Sequence, residues 1–267
     1  MERFPLAPFA DPKRHRLISE IIRRHSTNVA DIRSIALNGL ELNFASDVLE
    51  LGCGFGFMAK AVAARISSHG KIIGVDACSE NGPEFLSAVR SQGRDAEFHC
   101  QLVSGELPWP DQCFDLVVAS YSLYFFPELI PEIARVLRRQ GVFVTITHSE
   151  RSFARLCEAA GTPLQEAPIF PLIRRFSAEN GQDRLARCFA DTERIDYPNQ
   201  LLFERDQLED LLAYALFKLP LIRPEAESGL SFSAPLREAL ERRLVEGEPF
   251  SIEKDDAVFH ARTPRCL

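Results

Sequence analysis

The sequence has little of what a metal-stapled, membrane-spanning or nucleic-acid-coating protein needs. Its cysteines, at 53, 78, 100, 113, 157, 188 and 266, include no C-x-x-C pair, and no histidine stands at zinc-finger spacing. A zinc-stapled fold is thereby excluded, and the odd, scattered set suits reduced thiols in a cytoplasmic protein. No apolar run approaches the length of a membrane span, and the first residues carry prolines and charges in place of a signal-peptide core. Net positive charge is missing too. A formal charge of −7 and a pI near 5.5 argue against general nucleic-acid binding. The basic clusters Lys13-Arg14-His15-Arg16 and Arg23-Arg24 stand beside Leu17, Ile18, Ile21 and Ile22, so they read as the solvated face of a helix. Repeats and low-complexity segments are absent.

What is present is enough for one elaborated domain with a full core: 267 residues, 46% hydrophobic and 26% charged. The chain is organised around Val48-Leu49-Glu50-Leu51-Gly52-Cys53-Gly54-Phe55-Gly56. An apolar run breaks into alternating glycines and passes into an Ala-rich segment, which predicts strand, tight turn and helix. Such glycines let a ligand approach main-chain N–H groups that a Cβ would shield. The dinucleotide fingerprint G-x-G-x-x-G needs a glycine where Phe57 stands, and a phosphate P-loop needs a Gly-Lys-Ser/Thr that is absent. Further on, Lys71-Ile72-Ile73-Gly74-Val75-Asp76 is a second apolar run closed by a carboxylate. Asp76 at the end of a neighbouring strand is suited to accept hydrogen bonds from both hydroxyls of a ribose.

Glu50-x-Gly52-x-Gly54-x-Gly56 followed by Asp76 resembles the class I S-adenosylmethionine-dependent methyltransferases. Leu107-Pro108-Trp109-Pro110-Asp111-Gln112-Cys113-Phe114-Asp115 is similar to a segment of their small-molecule (type 11-like) branch, and with Ser120 to Pro127 it extends the resemblance over residues 47–148. The resemblance implies a Rossmann-like α/β fold: a doubly wound, mostly parallel seven-stranded sheet with a final antiparallel hairpin. It implies S-adenosyl-L-methionine as cofactor, held by Glu50, Gly52, Cys53, Gly54, Gly56, Asp76 and Ala77, with Ser120 and Tyr121 beside the methionine half. The acid that in the family bonds the adenine amino group is replaced here by Val103; Val103 and Ser104 stand at that place, and Ser104, Glu106 or backbone groups are the candidates for the contact.

Alternation of strands and helices from Asp47 supports the same fold. Strands are expected over 47–51, 71–76, 96–102, 114–120 and 142–147, with helices over 55–68, 83–92 and 127–139, the last stopped by Gly141. Ahead of them, Asp11-Pro12 predicts a capped helix to about Arg24, and 29–42 is a second helical candidate. Residues 1–46 thus form an N-terminal helical arm or lid, and 47–267 the main domain. Segments 189–203 and 250–263 would supply the final hairpin, with a helical cap inserted over about 204–249.

The Gly loop, Asp76, residues 120–126 and His148 are expected along one carboxyl edge of the sheet. His148 is the best-placed general base for a protonated acceptor, and a solvated or backbone-bonded loop histidine is its other reading. Tyr121 is the second catalytic candidate. His15, His25, His69, His99 and His260 read as structural. Paired acids for a catechol-type metal are missing, because Asp115 opens its strand at the far edge and Glu150 stands alone; no metal is expected. The expected activity is methyl transfer to a small organic acceptor by a protein bound to neither membrane nor bulk nucleic acid. Transfer to tRNA or a protein side chain, and a non-catalytic module that merely binds the cofactor, are the alternatives. Nothing in the sequence names the acceptor, its attacking atom or the oligomeric state.

Overall fold

In a computed structural model, residues 7–223, 230–245 and 248–265 are described. Residues 1–6 of the expected arm, 224–229 and 246–247 of the expected insert, and Cys266 lie outside them. Helix α1 (Pro12–His25) starts where Asp11 accepts a hydrogen bond from Arg14 N–H, with proline at the first turn. Helix α2 (Ile32–Ala36) is far shorter than the expected 29–42, because Gly39 turns the chain at φ 71°. Then follow β1 (Asp47–Leu51), α3 (Phe57–Ala63), β2 (Lys71–Asp76), α4 (Gly82–Arg90), β3 (Asp95–Cys100), β4 (Phe114–Ser120), α5 (Ile130–Val136) and β5 (Leu137–His148). Beyond them lie α6 (Ala154–Ala159), α7 (Ile169–Ile173), α8 (Gly181–Leu185), β6 (Phe189–Tyr197), β7 (Gln200–Phe203), α9 (Leu208–Ile222), α10 (Leu230–Val245), β8 (Phe250–Glu253) and β9 (Asp256–Pro264).

Seven strands form one sheet in the order β3-β2-β1-β4-β5-β9-β6. The first five run parallel, and β9 lies antiparallel between β5 and β6. This is the Rossmann-like architecture that the alternating pattern implied. The period-two arrangement of each strand divides its side chains between two cores. Val48, Leu116, Val118 and Val144 face a layer built on Met58 and Val62 of α3 and Phe85 and Val89 of α4. Leu49, Val117, Ala119 and Phe143 face Ile133 and Val136 of α5.

Two expectations need correction. Gly141 does not stop a helix: α5 ends at Val136 and β5 begins at once, Leu137 pairing with Phe114 ahead of a register shift in β4. A Cβ on Gly141 would lie 2.8 Å from the Asp115 carbonyl, so this glycine permits close approach of strands. The hairpin is also shorter than 189–203 with 250–263. Pro198-Asn199 breaks the first strand, and β7 pairs with β8 in a separate two-stranded sheet, Phe203 opposite Phe250. That small sheet shares a third core with Ile18 and Ile21 of α1, Phe217 of α9 and Leu240 of α10. The cap is thus a helical layer built on its own β-ribbon, clamped to α1 by His25, which bonds Asp210 of α9 at 2.8 Å and the Leu202 carbonyl at 3.1 Å.

Candidate active site

The carboxyl edge of the sheet gathers two groups of side chains. The first surrounds the Gly loop. Gly52 and Gly54 both take positive φ (69° and 50°). At 52 a Cβ would stand 2.4 Å from Ser122 Cβ, whereas at 54 the nearest outside atom would be His15 Cε1 at 3.9 Å. The first glycine is therefore required by packing and turn together, and the second presents bare backbone below α1. Gly52 and Cys53 N–H donate to the Val75 carbonyl, which ties the loop to β2. Gly54 N–H donates to Asp76 Oδ2 at 2.9 Å. The other oxygen, Oδ1, accepts from Cys78 N–H at 2.9 Å and Asn81 Nδ2 at 3.0 Å. Glycines and carboxylate, separated in sequence, thus meet at one point. Ala77 follows Asp76 directly, and Gln101 N–H donates to the Asp76 carbonyl, bringing the segment that leads to buried Val103 and exposed Ser104 to the same edge.

Several buried polar atoms here have no partner among the described residues: Glu50 Oε2, Asn81 Oδ1, Ser120 Oγ and His15 Nδ1. An unmet buried polar atom costs on the order of 1–3 kcal/mol, so their concentration at one edge marks a place where a polar ligand belongs. Burial, reinforced by Asp76, holds the Glu50 carboxyl well above the usual carboxylate range. A ligand with a cationic amine and vicinal hydroxyls matches these atoms: the amine relieves Glu50, and the hydroxyls suit Asp76 and the loop. S-Adenosyl-L-methionine has that chemistry, and the residues present fit it.

The second group lies at the ends of β4, β5 and β9. His148 and Asp256 are opposite each other in the β5–β9 register. His148 Nδ1 stands 2.8 Å from Asp256 Oδ1, and Tyr121 donates its hydroxyl to Oδ2 at 2.7 Å. Lys254 also donates to Oδ2, at very short range, and its ammonium lies 4.6 Å from the Tyr121 ring centroid. Lys254 foremost, then His148, hold Asp256 below the usual range against its burial. An ionised Asp256 only accepts, so His148 Nδ1 carries the proton and Nε2 presents a lone pair. Burial first, and the Lys254 charge second, push the His148 pKa down to about 4, leaving the ring neutral. Tyr121 adopts φ 55°, a left-handed conformation costly for an aromatic residue; Phe153, whose ring meets the His148 ring edge-on at 5.1 Å, adopts 74°.

Helices α1 and α9 close over both groups. The His15 ring lies 5.0 Å from Phe55 of the Gly loop and stacks on Phe217 of α9 at 5.5 Å. Burial, then the charge of Lys218, lower its pKa to about 4. His15, expected to be structural, packs between the Gly loop and the cap. Asp256 and Lys254 were missed, although an antiparallel last strand must begin where the parallel strands end, and that rule points to its first residue. Asp115 accepts from Ser46 and Asp47 N–H and pairs with Arg138, at the opposite end of the sheet. Among the described residues no group of three or more His, Cys, Asp or Glu side chains is placed to hold a metal ion. No described helix is long and apolar enough to cross a membrane.

Fold and site together define a nucleoside-cofactor enzyme of the Rossmann-like class. A family described as a methyltransferase domain matches residues 48–141. The demethylmenaquinone methyltransferase of Symbiobacterium thermophilum is 30% identical over 179 residues, 64% of this chain and 67% of that protein. The uncharacterized methyltransferase YcgJ of Bacillus subtilis is 31% identical over 104 residues, 38% of this chain and 40% of that one. Among solved structures, the cyclase SpnF superposes with a TM-score of 0.55 at 19% identity, covering 96% of both chains; that likeness speaks to fold alone. The chain belongs to the class I S-adenosylmethionine-dependent methyltransferases. Its matched part spans between 40% and 67% of the length of these two relatives.

Proposed function

We propose that the protein transfers the methyl group of S-adenosyl-L-methionine to a small organic acceptor. When bound, the cofactor supplies an electrophilic methyl group. Glu50, Gly52, Cys53, Gly54, Gly56, Asp76 and Ala77 hold it, with Val103 and Ser104 at the adenine side and Ser120 and Tyr121 at the methionine side. Residues 1–46 and an insert over about 204–249 form the lid, and the aromatic contacts of His15 with Phe55 and Phe217 support that division.

His148 is the general base. Its Nε2 accepts a proton from the acceptor's nucleophile, and Asp256, receiving the Nδ1 hydrogen bond, stabilises the imidazolium that forms. Lys254 and Tyr121 fix the carboxylate so that it cannot turn away. Enclosure by α1 and α9 keeps water from an in-line displacement. The net charge of −7 supports a small acceptor over RNA, and the scattered thiols support a cytoplasmic setting. The observation that carries the reading is the meeting of Gly54 and Asp76 beside a closed, hydrogen-bonded Tyr121–Asp256–His148 cluster.

The test supplies methyl-labelled S-adenosylmethionine to a cell extract depleted of its own cofactor, then separates low-mass, RNA and protein fractions. Label is expected in the low-mass fraction, reduced strongly with His148→Gln. Label confined to RNA or protein, or no transfer, contradicts the proposal.

A further inference from the structure

A cation without a counter-ion stands over the proposed acceptor site. Lys218 on α9 lies 5.1 Å from the Phe153 ring, 5.4 Å from Phe217 and 5.9 Å from Tyr214, and these rings are its recorded polar contacts: among the described residues it makes neither a hydrogen bond nor an ion pair. Its neighbour Lys254 is spoken for by Asp256. The surrounding groups are named readily: His15 on α1, His148 on β5, Lys254 and Asp256 at the β8–β9 turn, and Tyr214 one turn back on α9. Lys218 is close enough that its charge lowers the proton affinity of both His15 and His148. Both imidazoles are neutral, so two ammonium groups face one carboxylate. Below the Lys218 pKa of about 7 this leaves one positive charge in excess.

Two further atoms nearby are unmet. Tyr214 Oη and His15 Nδ1 are buried and have no hydrogen-bond partner among the described residues. Burial, with Lys254 adding to it, brings the Lys218 pKa down to about 7, although its side chain keeps part of its surface open. Rings alone offset part of that desolvation, since a cation–π contact is worth about 0.5–2 kcal/mol. An anion would supply the missing counter-charge, and with a second hydrogen bond to its other oxygen the pairing offsets the anion's own desolvation.

We propose that the acceptor is a small organic carboxylate whose acid group pairs with Lys218, with Tyr214 donating a second hydrogen bond. This rests on the methyl-transfer reading and names its substrate class. The acid group anchors the acceptor on the cap, leaving the nucleophile to face His148 across the crevice.

The test compares matched acids and amides, namely benzoate with benzamide, 4-hydroxybenzoate with 4-hydroxybenzamide and phenylacetate with phenylacetamide. Ligand-observed NMR measures their binding to the full chain at pH 6.5, with and without S-adenosylhomocysteine. At least one acid is expected to bind tenfold or more tightly than its amide. Lys218→Met abolishes that preference, and Lys218→Arg keeps it. Equal binding of acid and amide, binding of neither in any pair, or a preference that survives Lys218→Met overturns the inference. Calorimetry of S-adenosylhomocysteine on the same samples separates the two readings: lost cofactor binding counts against the methyltransferase assignment, and the acid preference is scored on its own in either form.

Discussion

At the scale of single residues, the account turns on two histidines kept neutral. His148 has its pKa lowered from 6.5 to about 4, chiefly by burial. The unfolded chain therefore binds a proton between those values that the folded chain refuses. Stability is full above pH 6.5 and falls as pH drops toward 4, by on the order of 3 kcal/mol for this one ring. His15, lowered in the same direction, adds to the effect. Urea unfolding across pH 4 to 7 is expected to show the midpoint falling with acid, and less so in His148→Gln; a midpoint independent of pH would contradict the assigned neutral state. The same ring gives a kinetic expectation. Removal of a general base costs roughly 10²–10⁴-fold, so His148→Gln lowers kcat by that order. At saturating acceptor the kcat profile of the unaltered protein stays flat from pH 6 to 8, since the ring is already neutral there, whereas acceptor binding through Lys218 weakens as pH rises through about 7. The place of Tyr121 and His148 at the carboxyl edge was legible because one follows an apolar strand and the other ends one, and strand ends share an edge. Asp256 was not, because it lies 108 positions from His148, and the register that joins them is set by pairing and not by local pattern.

Among the elements, the strand–loop–helix unit at the Gly loop is the least tolerant of change. Gly52→Ala forces a Cβ to 2.4 Å from Ser122 Cβ at a φ of 69°. A loss of about 2–4 kcal/mol is expected by chemical denaturation. Stability equal to that of the unaltered protein would mean the turn is not built as described. The cap offers a contrasting case. Asp210→Ala leaves buried His25 without its Nε2 partner, so the α1–α9 clamp weakens by roughly 1–3 kcal/mol, and α1 becomes the first site of limited proteolysis. Strands β1, β2, β4 and β5 were readable as continuous apolar runs, which follow from burial on both faces, whereas the largely exposed edge strand β3 was readable only from its place in the alternation. The β7–β8 ribbon was not, since four-residue strands carry too few alternations to distinguish a separate sheet from the end of a longer strand. Helix α7, only five residues long among prolines, was obscured by the same shortness.

Across the whole molecule, two bodies meet at the carboxyl edge of the sheet. The sheet and its flanking helices form the lower body, and the α1, α9 and α10 layer on its ribbon forms the upper one. Across the seam between them, His15 Nδ1 and Tyr214 Oη of the upper body and Glu50 Oε2, Asn81 Oδ1 and Ser120 Oγ of the lower one are buried without partners among the described residues. A ligand filling that seam stabilises the folded chain by mass action, about 2.7 kcal/mol at a hundredfold excess over Kd. Saturating S-adenosylmethionine is accordingly expected to raise Tm by roughly 5 °C or more, and a Tm that does not move would speak against a site between the two bodies. The central claim, that the glycine turn and Asp76 hold the cofactor, is tested most directly by calorimetric titration of S-adenosyl-L-methionine into the unaltered protein and into Asp76→Ala. One binding site per chain, weakened at least tenfold by the substitution, is the predicted result. Equal affinity in the two proteins, or no binding to the unaltered one, would contradict it.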